Sequence, residues 1–332
     1  WKTEVPGWGW SSPIVWGDRI FLTTVVREGK VETPKKGLYF GGNRLELSKS
    51  NQRYQVLCFD FNTGKLRWEK TVFEGAPKTA VHLKNTYASE TPVTDGERVY
   101  AYFSERGLVC FDLDGKRLWA VETGSYKTRF GWGGAASPVL HGDRIYLVND
   151  NDEQSFLLAL DKLTGKTAWR VERDEKSNWA TPFIWKNDLR TEIVTPGTGK
   201  VRSYDLEGKL LWQFGGMSSI TIATPYSEFG LLYVTSGYVG DKRKPIFAVS
   251  PGASGDISLK PGETGNDHIK WFKPAAGPYN PSTIVYEDQL YVLWDFGFFS
   301  SHDARTGKPI YGKERINPRG RKSSVCGNSL KP

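Results

Sequence analysis

Apolar residues along this chain come in short bursts punctuated by Gly, Asp, Asn and Pro, and no long stretch repeats at the 3.6-residue period of an amphipathic helix. Bursts such as "RIYLV" from Arg144 are apolar at consecutive positions, the pattern of a strand covered on both faces. Two phrases alternate. The first predicts a short strand, a Gly/Asp/Asn turn and a second strand: "SSPIVWGDRIFLTT" from Ser11, "SETPVTDGERVYAYF" from Ser89 and "ASPVLHGDRIYLVND" from Ala136, with looser copies from Ala180, Ala223 and Pro281.

The second phrase is a small residue, an Asp, a Thr-Gly-Lys turn and a Trp. It closes with Asp60, Gly64 and Trp68, then Asp112, Gly115 and Trp119, Asp161, Gly165 and Trp169, and Asp205, Gly208 and Trp212. A fifth copy from Ala248 is interrupted before closing at Trp271, and the sixth has Asp303, Gly307 and Tyr311 in place of Trp. The closing aromatics stand 51, 50, 43, 59 and 40 residues apart. One period therefore holds four strands, the content of a β-propeller blade. The Asp caps the turn, and Gly takes the positive φ that a tight hairpin needs. The small residue (Cys58, Cys110, Ala159, Ser203, Ala248 or Ser301) leaves room for the indole to pack on it or on the neighbouring blade.

A small residue, Asp, Thr-Gly-Lys and Trp at these offsets resembles the tryptophan-docking motif of the pyrroloquinoline-quinone (PQQ) repeat propellers. These include the eight-bladed quinoprotein alcohol dehydrogenases and the propeller lipoprotein of the outer-membrane β-barrel assembly machinery. Longer phrases, "PKKGLYFGG" at Pro34, "KNTYASETPVTDGERVYAYF" at Lys84, "RVERDEKSNWATP" at Arg170 and "GASGDISLKPGET" at Gly252, are similar to the PQQ-binding-like repeat branch. The expected fold is all-β: a propeller of four-stranded antiparallel blades over 11–72, 85–123, 132–173, 177–215, 220–273 and 278–316. Residues 1–5 would close a blade, 28–51 would form a surface insertion, and 317–332 is a tail without repeats. The resemblance implies eight blades, of which six are present in one domain, 1–316; a complete six-bladed ring is the alternative.

Composition narrows the function classes. Hydrophobic content of 38% and charged content of 25% describe a soluble globular protein, and aromatic content is high at 14%, with 13 Trp against one Met. No apolar run approaches the roughly 18 residues that span a bilayer. The excess of basic residues, 45 − 37 = 8, is spread out, and its densest points, Lys242–Lys244 and Arg319–Lys322, read as solvated loops; nucleic acid is not expected. Cys58, Cys110 and Cys326 are widely spaced and suggest no disulfide framework. Any export signal would lie outside this sequence, and the extracytoplasmic, periplasmic location expected follows from the resemblance alone.

Chemistry is sparse. His82, His141, His268 and His302 are dispersed, each without a partner at metal-ligand spacing. Asp150-Asn151-Asp152-Glu153 is the richest acidic cluster and reads as an exposed hairpin turn rather than a calcium site. The family's dehydrogenases carry PQQ, Ca²⁺, an Asp base and commonly an adjacent-cysteine disulfide; this chain has no Cys-Cys pair. No catalytic residue, metal or cofactor is assigned.

Aromatic and amide residues recur just ahead of each first strand: Trp8 and Trp10, Asn85 and Tyr87, Arg129 and Trp132, Asn178 and Trp179, and Tyr279 and Asn280. In a propeller these lead-in loops would meet at the channel mouth, where they would bind a protein segment or small ligand. Packing between blades is the competing reading. The expected function is a non-catalytic, monomeric envelope scaffold; a divergent PQQ- and calcium-dependent dehydrogenase and a glycan-binding propeller are the alternatives.

Overall fold

The computed structural model describes residues 1–29 and 47–316. Among them, the only helical elements are two single 3-10 turns, at Arg129–Gly131 and Asp295–Gly297. Six antiparallel sheets follow one another along the chain. The first holds β1 (Ile14–Trp16), β2 (Arg19–Arg27), β3 (Gln52–Asp60) and β4 (Leu66–Gly75). The second holds β5 (Val93–Thr94), β6 (Arg98–Phe103), β7 (Gly107–Asp112) and β8 (Arg117–Val121). The third holds β9 (Val139–His141), β10 (Arg144–Asn149), β11 (Ser155–Asp161) and β12 (Thr167–Arg173). The fourth holds β13 (Phe183–Lys186), β14 (Thr191–Pro196), β15 (Lys200–Tyr204) and β16 (Leu210–Gly215). The fifth holds β17 (Tyr226–Glu228), β18 (Leu231–Thr235), β19 (Ile246–Val249) and β21 (Ile269–Lys273); between the last two, β20 (Gly255–Asp256) leaves to pair in parallel with β16. The sixth holds β22 (Ile284–Tyr286), β23 (Gln289–Trp294), β24 (Phe298–Asp303) and β25 (Pro309–Arg315). These are blades of a β-propeller. They fall into two compact units, one ending at Asp174 with the first three blades and one beginning at Glu175 with the last three.

The repeated phrase builds the same clasp each time. In every blade the small residue directly opposes the closing aromatic: Cys58 faces Trp68, Cys110 faces Trp119, Ala159 faces Trp169, Ser203 faces Trp212, Ala248 faces Trp271 and Ser301 faces Tyr311. All six small residues are fully buried, so a larger side chain would meet the facing ring. The Asp carboxylate caps the turn; Asp60 Oδ1, for example, accepts the Asn62 and Thr63 amides and the Thr63 hydroxyl.

The indole then docks on the turn glycine of the following blade. In the first unit Trp68 covers Gly115 and Trp119 covers Gly165, while in the second Trp271 covers Gly307; an added Cβ on these glycines would stand 2.9, 2.6 and 2.6 Å from the rings. Each Nε1 also donates to a backbone oxygen of the turn: Leu113 at 2.9 Å, Lys162 at 3.2 Å and Ala304 at 3.0 Å. Trp1 does the same to blade one, lying over Gly64 and donating to Phe61 O at 2.8 Å. Residues 1–5 join no strand ladder; Trp1 is held by this clasp alone and by Thr3, whose hydroxyl donates to Gly64 O.

Blade four departs from the rule. Trp212 is fully buried, stacks on Phe214 and donates to the Glu192 carboxylate at 2.6 Å. Glu192 also accepts from Ser203, Arg190 and Asn187, which is how a carboxylate with no exposed surface is satisfied. The interruption within blade five supplies β20, which occupies the edge beside Trp212. The base of the 28–51 insertion is closed by Glu28 N donating to Asn51 O at 3.1 Å. Residues 30–46 and the 317–332 tail, with Cys326, lie outside the described residues.

Candidate ligand-binding face

In an up-and-down sheet, the loop leading into the first strand lies at the same end as the hairpin joining the second and third strands. The clasp turns lie at the opposite end. Within the first unit the three lead-in loops are tied together by backbone and amide bonds. Trp10 N donates to Ala88 O and its indole to Lys84 O, both at 2.9 Å, linking blades one and two. Asn85 Nδ2 donates to Trp132 O at 2.8 Å and Gly134 O at 3.1 Å, linking blades two and three. His82 rests edge-on against Trp132, which packs on Phe130, and the Arg129 guanidinium lies over Phe130.

Ser and Thr hydroxyls beside the prolines that precede the first strands add a second seam. The Ser12 amide donates to Thr91 Oγ1, the Thr91 amide to Ser137 Oγ and, in the second unit, the Thr224 amide to Ser282 Oγ. Trp10 and Phe130 remain 41% and 40% exposed on this framework. Trp8 instead pairs its backbone with Val25. Tyr87 is half-buried against Tyr54 and donates to Thr79 O, so it positions the loop.

Phe130 was not among the residues singled out from sequence. It holds φ = +58°, a conformation that costs a bulky side chain roughly 1–2 kcal/mol, and still presents its ring to solvent. In the second unit Phe296 likewise stands 47% exposed at φ = +64°, in the hairpin between β23 and β24. An Arg-Phe-Gly or Asp-Phe-Gly run carries no sign of left-handed backbone beyond the following glycine.

Buried carboxylates fasten this end of the first unit. Glu105 accepts the Tyr54 hydroxyl, the Lys78 and Thr79 amides and the Thr79 hydroxyl, holding the lead-in loop of blade two. Asp150 grips Arg173 through two bonds of 2.8 and 3.0 Å. Asn151 folds its own hairpin by accepting the Glu153 and Gln154 amides. The acidic cluster is thus a hairpin turn, but Asp150 and Asn151 are buried rather than exposed, because ion pairing and self-capping satisfy them.

Glu90 is different. Oε1 accepts the Ser104 amide, Oε2 has no partner, and burial pushes the carboxyl up to about 7. It sits beneath the Trp132 loop: an added Cβ at Gly134 would stand 2.3 Å from Ser104 Oγ and 3.4 Å from Glu90 Oε1.

In the second unit Asn178 and Trp179 are buried, and Trp179 N donates to Thr221 O. They serve packing, because the lead-in segment of blade four is short and tucked beneath Thr221. Tyr279 stacks edge-on with Tyr238, and both Tyr279 and Asn280 are half-buried.

Among the described residues no group of three or more His, Cys, Asp or Glu side chains converges where it would hold a metal ion. His302 is buried, and burial holds it below the ordinary histidine range. No described helix is long and apolar enough to cross a membrane.

Comparison with known proteins gives three findings. The family model described as outer membrane protein assembly factor BamB matches residues 35–170 and 126–312. The chain is similar to BamB from Moraxella catarrhalis, with 14% identity over 92% of this chain and 87% of that one, at a TM-score of 0.55. It is also similar to a europium-containing methanol dehydrogenase, with 12% identity over 92% of this chain and 77% of that one, at a TM-score of 0.54. No match was found among curated protein sequences. At such identities the structural likenesses speak for the fold.

Proposed function

The chain belongs to the outer membrane protein assembly factor BamB family, and we propose that it is a non-catalytic, extracytoplasmic propeller that binds a segment of another protein through the lead-in loops of its first unit. One observation carries this reading: Trp10 and Phe130 are held substantially exposed on loops whose own polar groups are already bonded. A surface that keeps large aromatic rings in water, one of them on strained backbone, is pre-organised for a partner that buries them. Arg129 and Trp132 flank Phe130, Asn85 positions both loops, and Trp8 and Tyr87 brace them. An outer-membrane assembly factor family supports a protein ligand over a small substrate, and an address outside the cytoplasm.

The test pans a random peptide library displayed on phage against the full chain, then measures selected peptides against Phe130→Gly and Trp10→Ala. Glycine accepts the positive φ, so Phe130→Gly keeps the fold. Removing an anchoring aromatic should weaken binding about tenfold or more. Selected peptides that bind both variants as tightly as the native chain would overturn the reading. A glycan array positive at this face, with no peptide selected, would transfer it to carbohydrate recognition.

A further inference from the structure

Blade six carries a second surface that the reading above does not use. Phe296 stands 47% exposed at the tip of the hairpin between β23 and β24, and Ile316, 49% exposed, lies beside it because its amide donates to Gly297 O at 3.0 Å. Cations surround this apolar pair. Lys313 Nζ lies 4.1 Å from the Trp294 ring centre and 5.2 Å from that of Phe298, and the Arg315 guanidinium lies 5.4 Å over Phe298.

A bulge in β25 aims them there. Ser301 pairs with Tyr311 and Phe299 with Glu314, so Ser300 alone opposes both Gly312 and Lys313. Without the extra residue the side chains beyond Tyr311 would alternate the other way and Lys313 and Arg315 would leave Trp294 and Phe298. Lys244, from the loop ahead of β19, completes the set: its charge, after burial, helps hold the Lys313 ammonium below the ordinary lysine range. None of the three cations has an ion pair among the described residues. Asp295, whose charge reaches Lys313, is pushed up by burial, leaves Oδ1 without a partner and forms a salt bridge with neither lysine.

We propose that this patch is a docking site for an acidic, aliphatic-containing segment of a partner protein, with an apolar side chain seated on Phe296 and Ile316 and carboxylates on Lys313, Arg315 and Lys244. Positive charges gathered over aromatic rings, without ion pairs among the described residues, are complementary to such a segment. The residues are distinct from those of the first unit, so either proposal stands if the other fails.

Fluorescence anisotropy of the full chain tests it. The probes are a labelled peptide alternating glutamate with leucine, its glutamine-for-glutamate counterpart, and phosphatidylglycerol vesicles. The glutamate peptide should bind saturably and weaken with salt, and the glutamine counterpart should bind about tenfold more weakly. Lys313→Glu with Arg315→Glu should abolish binding. Phe296→Gly should reduce it while leaving Tm unchanged or raised, since glycine relieves the positive φ. Absence of saturable binding, binding indifferent to charge reversal, or vesicle binding that the peptide does not displace would overturn the proposal, the last in favour of a lipid surface.

Discussion

Glu90→Gln offers the sharpest test of the packing beneath the first unit's lead-in loops. Burial raises the Glu90 carboxyl from 4.5 to about 7, with the Ser104 amide offsetting part of that burial. Below the unfolded value both states are protonated and the group contributes nothing. As pH rises through 4.5 the unfolded chain ionises while the folded chain keeps its proton, so stability falls until the folded group also ionises near 7. The full loss is about 3 kcal/mol, since each tenfold change in proton affinity between 4.5 and about 7 is worth 1.36 kcal/mol. Glutamine keeps an acceptor for Ser104 and cannot ionise, but buries an amide NH₂ that costs about 1 kcal/mol. The variant should therefore be somewhat less stable than the native chain at pH 4.5 and about 2 kcal/mol more stable at pH 8. Urea denaturation of both proteins across that range checks it. His302 and every other titrating group cancel in the difference. A difference between the two proteins that stays constant from pH 4.5 to 8 would refute the argument and mean that Glu90 is hydrated.

Other outcomes follow from the clasps and the thiols. Gly165→Ala, at φ +71° with Trp119 in the way of a Cβ, should cost about 3 kcal/mol, whereas Gly199→Ala, at φ +78° with open space, should cost about 1; equal losses in chemical denaturation would deny the docking. Trp212→Phe removes a bond to a carboxylate and Trp68→Phe one to a neutral carbonyl, so the first should cost about 1 kcal/mol more in ΔG of unfolding. Burial pushes the Cys58 and Cys110 thiols up to about 11 and about 12, so neither should react with an aromatic disulfide reagent until the chain unfolds. Rapid labelling of native protein, counted by mass at these two positions, would contradict that.

The parts legible in sequence are those whose partners lie within the same repeat or at the same place in the next. A small residue opposite a Trp, an Asp ahead of Thr-Gly-Lys and a Ser or Thr before Pro announce themselves by recurrence, and each has one geometric use. Trp212 was read like its siblings because nothing near it signals that residues 255–256 arrive in parallel beside it. Glu90 in "SETP" looks like any polar residue; its burial comes from Gly134, 44 positions on, admitting the chain against Ser104. Trp179 resembles Trp10 in context yet is buried, since exposure depends on how far each lead-in segment stands out, which composition does not record. Phe130 and Phe296 were missed because backbone strain leaves no mark in the order of residues.

The two ends of each blade answer to different physics, and that separation lets so repetitive a chain vary the side chains of one face without loosening the other. At the clasp end the turns of blades one, two, three and six each present a glycine to an indole and an oxygen to its N–H, so variation there costs stability. Even blade four, which gives up the interblade bond, replaces it with a buried carboxylate bearing four donors. At the loop end the blades are joined by amide-to-hydroxyl and amide-to-carbonyl bonds that constrain backbone but leave neighbouring side chains unspecified. Exposed aromatics can be placed there without loosening the clasps. A rigid scaffold that fixes loop backbone while freeing loop chemistry suits recognition of another protein, where affinity follows from a few pre-positioned anchors rather than from total area.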